Sequence, residues 1–411
     1  VYKRQELHLS PLRMAELLLI VTLVCLVGFL YLERLTGDKA AVDGEAAGAP
    51  PTARDERPSI AVMAFENMST DPSAEYFGDG LAEEILNLLA RLNELNVAAR
   101  TSSFYFKDKA IDLREVGEKL GVGHVLECSV RRSGDQVRVT AQLIEMETGF
   151  HIWSQTFDRN YSSLFQIQDE IARQVVDTLQ VILSDNSREI LNDRPTLAPG
   201  AYDFYLRGRE YLRNSLNREG LTRALEMFRR ALTAEPEYAE AFAGLCDSWL
   251  QLYAIERNPE QYQSAERACQ QALLHGGDQV SVLIALGNLY KVSGKTEQAL
   301  AQYNQALELA PTSVDARLGL AETYRADNQP ERAEKAYLSA IQQKPNDWRA
   351  YIGMAGFLFE SGRFGDAIPY YEWITELMPD RAEAFNGLGA AYSMLGDFEA
   401  SADALQRSLQ I

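Results

Sequence analysis

A step of 34 residues dominates the carboxyl-terminal half of the chain. Pro311, Pro345 and Pro379 keep it, as do Gly294, Asn328, Gly362 and Gly396. Ala299, Ala333 and Ala367 share the step with Tyr303, Tyr337 and Tyr371, and so do Leu286, Leu320, Met354 and Leu388, and Tyr290, Tyr324, Leu358 and Tyr392. A fixed period of this size means one supersecondary unit repeated, each unit too small to bury its own apolar face and completed by its neighbour. The small residues let two helices approach closely, the large ones fill the gap to the next pair, and proline ends the second helix because it has no N–H to donate.

Two earlier units are looser. Ala265, Cys269 and Ala272 lie one period before Ala299, Tyr303 and Ala306, but their first helix, with Leu245, Cys246 and Trp249, sits seven residues too far upstream. The first unit holds Gly208, Tyr211, Ala224, Phe228, Ala231 and Pro236, and long interhelical loops are expected near 214–220 and 254–263. The count is about six over residues 201–411. The sixth stops two residues short of the position where its proline is due, so the natural chain is expected to continue. The pattern resembles the tetratricopeptide repeat. That resemblance implies a superhelix whose groove is lined by the first helix of each pair, and a protein or peptide partner held there. The groove positions it implies are Asn288, Lys291, Glu322, Arg325, Arg349, Phe359 and Asn386. Lys291 and Arg325, one period apart, are expected to stack and to suit a carboxylate or an acidic peptide. Cys246 and Cys269 belong to one unit; a disulfide between them in an oxidising compartment is the alternative, and the expectation is two small buried thiols.

Residues 59–185 read differently. Ser59–Phe65 is a short apolar strand, a helix follows to about Asn93 with Asp79 as its expected N-cap, and Asn96–Arg100 is a second strand. Asp112–Leu120 is a short helix stopped by Gly121. Three strands, 124–132, 136–146 and 149–159, are joined by Ser133-Gly134-Asp135 and Glu147-Thr148-Gly149, and Leu164–Leu183 closes the domain as an amphipathic helix. Val137, Val139, Ala141 and Leu143 alternate with polar residues, as a half-buried strand requires. The stretches SIAVMAFENMSTDPSAEYFGDGLAEEI, ARTSSFYFKDKAIDLREVGEKLGVGHVLECSVRRSGDQVRVTAQLIEMETGFHIWSQTFDRN and LFQIQDEIA resemble the FlgO/TolB amino-terminal-like domain of bacterial envelope proteins. In that family the domain often sits between a membrane helix and a helical array, in some chains with a cytoplasmic winged-helix or nucleotide cyclase domain. The resemblance brings no catalytic residues with it.

Leu17–Leu32 runs sixteen residues without a charge, and Met14 and Ala15 extend it past Glu16. At about 1.5 Å per residue this suffices to cross a bilayer if the flanking charges reach the headgroups. Lys3, Arg4 and Arg13 precede it, which puts the amino end in the cytoplasm. The small residues of a signal-peptidase site do not follow it, and the polar spacing of a core helix is missing. The expected order is therefore a cytoplasmic tail (1–14), a transmembrane helix (15–35), a linker (36–58), an α+β domain (59–185), a second linker (186–200) and an all-α repeat solenoid (201–411). The bulk is expected in the periplasm, with the chain crossing a bacterial inner membrane once.

The formal net charge is -19. Nucleic-acid binding needs a surplus of Lys and Arg on some face, so none is expected. No catalytic, cofactor or metal residues are assigned. Gly121-Val122-Gly123 precedes a strand instead of following one and has Leu126 where a dinucleotide loop needs its third glycine. Glu83 and Glu84 are adjacent on a helix and point to different sides, so they form no acid–base pair. The sequons at Asn67 and Asn160 are chance patterns on this reading, and Trp153 is expected in the core. The functional expectation is a non-catalytic, membrane-anchored scaffold. The alternative is the sensor half of a transmembrane regulator, with a DNA-binding or cyclase domain ahead of Val1. Oligomeric state is not legible.

Overall fold

The computed structural model describes residues 57–69, 75–109, 111–160, 164–192, 198–214 and 217–411. The tail, the expected membrane helix and nearly all of the first linker lie outside the described residues. Among the described residues no helix is long and apolar enough to cross a membrane.

Strands β1 (Ser59–Val62), β2 (Glu66–Asn67), β3 (Asn96–Val97), β4 (His124–Ser133), β5 (Gln136–Glu145) and β6 (His151–Asn160) form one mixed sheet. Its order is β3-β1-β4-β5-β6, with β2 also pairing β4. β1 lies parallel to β3 and β4, and β4, β5 and β6 form an antiparallel meander. Val137, Val139, Ala141 and Leu143 are buried on one face as the alternation required. Trp153 is half-buried against the same core, 6.4 Å from the ring of Phe157. Helices α1 (Glu75–Ala90) and α4 (Leu164–Thr178) cover that face, and α2 (Arg100–Ser103) is a single turn where a longer strand was expected. α3 (Leu113–Leu120) starts on Asp112, whose carboxylate accepts from the Arg114 N–H, and stops at Gly121 with φ 63°.

Asp79 is not a cap. α1 begins four residues earlier, and Asp79 lies inside it, buried, with both carboxylate oxygens bonded to Lys107 Nζ at 2.9 and 2.7 Å. An acidic residue read as a helix start is instead half of a buried ion pair. The second linker is also partly structured: α5 (Asp185–Asn192) is tied to the domain by Glu94, which accepts from the Ser184 N–H and the Ser187 hydroxyl.

The remaining twelve helices are six antiparallel pairs: α6 (Pro199–Asn214) with α7 (Arg218–Ala234), α8 (Ala239–Glu256) with α9 (Pro259–Gly276), α10 (Val280–Val292) with α11 (Thr296–Leu309), α12 (Val314–Ala326) with α13 (Pro330–Gln343), α14 (Trp348–Glu360) with α15 (Phe364–Leu377), and α16 (Ala382–Leu395) with α17 (Phe398–Gln410). The extra residues of the second pair do not make a long loop. α8 and α9 are each 18 residues long, against 13 and 14 in α10 and α11, and only Arg257 and Asn258 separate them. Asn258 caps α9 and Pro259 opens it, so the insertion lengthens both helices by about a turn.

The 34-residue glycine position has a backbone reason. Gly294, Asn328, Gly362 and Gly396 all have positive φ, from 55° to 82°. Each lies just past a first helix, and the following N–H reaches back to the carbonyl of Tyr290, Tyr324, Leu358 or Tyr392 at 2.9–3.0 Å. This helix stop needs a left-handed residue, which glycine and asparagine tolerate best.

Candidate functional site

The aromatic ring one period apart in the second helices sets the spacing between pairs. Tyr303 is fully buried between Gly287 of its own pair and Gly319 of the next, where any Cβ would collide with the ring. Its hydroxyl donates to Asn288 Oδ1 at 2.7 Å. Asn288 Nδ2 in turn donates to Asp247 Oδ1 at 3.1 Å, and burial pushes the Asp247 carboxyl up to about 6. One groove candidate, Asn288, is thus held by Tyr303 and Asp247, neither of which was singled out as a groove residue.

Lys291 and Arg325 each meet an acid of the chain itself. Lys291 pairs with Glu322 of the next first helix, and Arg325 stands 3.5 Å from Glu360 of the one after. Each cation therefore meets an acid of the following repeat, forming a ladder of charge along the first helices. Phe359 packs edge to face on Phe364 at 5.0 Å, and Asn386 is exposed.

Arg349 has a different setting. It donates to Asp347 through Nε and Nη2 at 3.0 and 2.7 Å and to Asp315 through Nη1 at 2.6 Å. Its positive charge holds the Asp315 carboxyl below the ordinary range. Asp347 is fully buried and also accepts from the Thr101 hydroxyl at 3.2 Å, so Arg349 belongs to a junction with the sheet domain.

That junction repeats with the array. Thr312, Asn346 and Asp380 each follow a periodic proline and are 34 residues apart. Thr312 donates to the Ala90 carbonyl at 2.6 Å. Asn346 accepts from the Ala99 N–H at 3.1 Å and donates to the Leu120 carbonyl at 2.8 Å. Asp380 takes Lys109 Nζ at 2.7 Å and the Tyr105 hydroxyl. Beneath these turns, Leu377 and Met378 join Ala61, Met63, Val116 and Val125 in one apolar cluster, which closes the second face of β1 and β4. The polar residue after each proline carried the signal in the sequence, but the period alone does not say what a turn touches.

At the near end the contact is ionic and buried. Glu83, only 4% exposed, meets Arg209 and Arg213 of α6 and Arg100 at 3.0 Å. Burial draws the Arg100 guanidinium down to about 10. Tyr76 donates to Asp203 at 2.6 Å and accepts from Arg207 at 2.7 Å. The second pair carries a disulfide, Cys246–Cys269, with Cα atoms 5.2 Å apart and both residues fully buried, in place of the two thiols expected. Among the described residues no three His, Cys, Asp or Glu side chains cluster as metal ligands.

The helical half is an array of tetratricopeptide-type repeats. Residues 256–385 match the model of the cytochrome c-type biogenesis protein H TPR domain. A Rhizobium meliloti (strain 1021) protein named "Putative adenylate cyclase 3" is 39% identical over 208 residues, which are 51% of this chain and 35% of that protein. The match thus spans about a third of the relative's length. Among solved structures, Pseudomonas aeruginosa pilF is similar at 18% identity and TM-score 0.39, covering 50% of this chain and 88% of its own. PilW, a type IV pilus biogenesis factor, is similar at 18% identity and TM-score 0.41, covering 50% and 90%.

Proposed function

We propose that the chain is a membrane-anchored interaction protein, its bulk in an oxidising compartment, whose repeat groove holds a peptide of a protein partner. The charge ladder of Lys291–Glu322 and Arg325–Glu360 is the observation that carries the groove reading. These pairs are partly exposed, so each is worth little internally and can be exchanged for the charges of an incoming peptide at small cost. The apolar run at 17–32 supports the anchor. The Cys246–Cys269 disulfide supports an oxidising compartment, because reduced cytosol does not maintain such bonds. The resemblance of residues 59–172 to FlgO/TolB-type domains supports a place in the bacterial envelope.

Photo-crosslinkers placed in living cells at Lys291, Asn386 and Ser339 test the groove. Ser339 lies on a second helix, away from the groove-lining first helices. A discrete adduct from the first two positions and none from Ser339 is the expected result; adducts from Ser339 alone would overturn it. A reporter fused after Arg57 tests location, with activity expected only from an exported reporter.

A second reading follows from the relative named as an adenylate cyclase. In it this chain is the exterior, partner-binding half of a signalling protein whose cytoplasmic part makes a cyclic nucleotide. Cyclic AMP measured in cells carrying the uncut gene separates the two: a level that changes when Lys291→Ala is introduced favours signalling, and an unchanged level favours the scaffold.

A further inference from the structure

We propose that two copies of this chain join their sheets through β6, strand against antiparallel strand across a two-fold axis. The two edges of the sheet are built differently. β3 is two residues long, and the chain just beyond it is held by Asn346 of the array. β6 is ten residues long and pairs with β5 along one side only, from Gln136↔Asn160 to Ile144↔His151. Among the described residues no strand pairs with its other side.

Long exposed edges are ordinarily blocked by proline, by mid-strand bulges or by unpaired charge. β6 contains no proline, and its irregularity lies at the far end, opposite Leu143 and Ile144. Its two charges are neutralised within the molecule: Asp158 by Arg138 at 2.7 Å and Arg159 by Glu170 at 3.2 Å. In a chain of net charge -19 this strand offers a second copy no net charge to repel. Rungs of polar side chains already cross the exposed face from β5 to β6, Thr140 to Thr156 and Arg138 to Asp158, and Ser154 and Thr156 can extend them outward.

Two large apolar residues lie at the start of the edge, Phe150 at 73% and Ile152 at 40% exposure. An antiparallel pairing centred near Gln155 places this apolar start beside the polar end of the other strand, so each copy covers the other's Phe150 and Ile152. The array meets the sheet domain at the β3–β1 end through Asn346 and at Arg132 of β4 through Asp203, whereas the hydrogen bonds and ion pairs of β6 described above run to β5 and to Glu170.

The test uses the full chain in detergent with Cys25→Ser, which leaves Cys128, buried, as the other free thiol. Gln155→Cys and Thr156→Cys are each oxidised mildly, beside a cysteine in place of exposed Glu127 (Glu127→Cys) on β4, two strands inside. A product of twice the chain mass from position 155 or 156, whichever lies on the two-fold axis, and none from 127, is expected. No product from 155 and 156, or an equal yield from 127, overturns the proposal. Independently, Thr156→Lys on the otherwise natural chain should halve the sedimenting mass with unchanged thermal unfolding; an unchanged dimer, or a natural chain that already sediments as a monomer, also overturns it.

Discussion

Between neighbouring pairs of the array the same position is filled in three ways. In the third, fourth and fifth pairs it is a tyrosine (Tyr303, Tyr337, Tyr371), each against a glycine of the next first helix. In the first pair it is Phe228, wedged between Gly208 and Gly244. In the second it is Cys269, bonded to Cys246. The first two pairs also have longer helices, and the first is joined to the sheet domain through buried charge at Glu83. The later pairs keep a strict period and touch the sheet domain through their turns. The early part of the array is thus joined through a buried cluster of charge, and the later part through a contact repeated at three turns. Loss of one early joint should be costly, whereas loss of one late joint should be small.

The largest effect is expected at Glu83. Glu83→Gln leaves Arg100, Arg209 and Arg213 around a neutral side chain, and removing one partner of a buried ionic cluster costs about 3–5 kcal/mol. Denaturant unfolding checks this; a loss below about 1 kcal/mol would mean that apolar contact between α1 and α6 holds the junction instead. Next comes the disulfide. Cys246→Ser with Cys269→Ser should cost about 3 kcal/mol by loop entropy, with faster amide exchange confined to α8 and α9.

Asp247 gives an effect of opposite sign. Its folded carboxyl titrates near 6 against an ordinary 3.8, so the native state keeps a proton that the unfolded state has released. Stability from this group is therefore lost as pH rises through that window. Asp247→Asn should be more stable than the natural chain at neutral pH by up to about 3 kcal/mol, with the gain vanishing towards pH 4 in paired thermal melts. For the tyrosine joint, Gly319→Ala should cost about 1–3 kcal/mol, because the ring is enclosed and cannot yield. Gly356→Ala, where the new methyl meets nothing within 4 Å, should instead stabilise by a few tenths to about 1 kcal/mol. The smallest effect is expected at Asp380, whose pair with Lys109 is exposed: Asp380→Ala should cost less than about 1 kcal/mol in the same assay. A larger loss would remove the distinction between early and late joints.

The element order was largely legible, for reasons visible at single positions. Alternation at Val137–Leu143 and the glycine after Leu120 are local signals, and the structure places a strand and a helix stop on them. Asp79 misled because an acid at a helix start and an acid in a buried ion pair look alike until Lys107 is brought beside it. The loop expected near 254–263 misled because extra residues can lengthen helices as easily as loops. Of the groove candidates, Asn288 bonds to Asp247 and to the Tyr303 hydroxyl and Lys291 pairs with Glu322; Asp247 and Tyr303 come from other helices at unequal spacings, which the period does not reveal.

By itself the sequence determined the repeat, its step and the left-handed turn positions, because these depend on backbone geometry and on contacts between residues a fixed distance apart. Only the tertiary structure decided that Thr312, Asn346 and Asp380 clasp the sheet domain, that Glu83 gathers three arginines, and that Lys291 and Arg325 meet the chain's own acids. Most of those contacts join segments more than 25 residues apart, and even where one side keeps the period, as at Thr312, Asn346 and Asp380, its partners in the sheet domain do not; partner choice at such range is set by how whole surfaces fit, which no local pattern encodes.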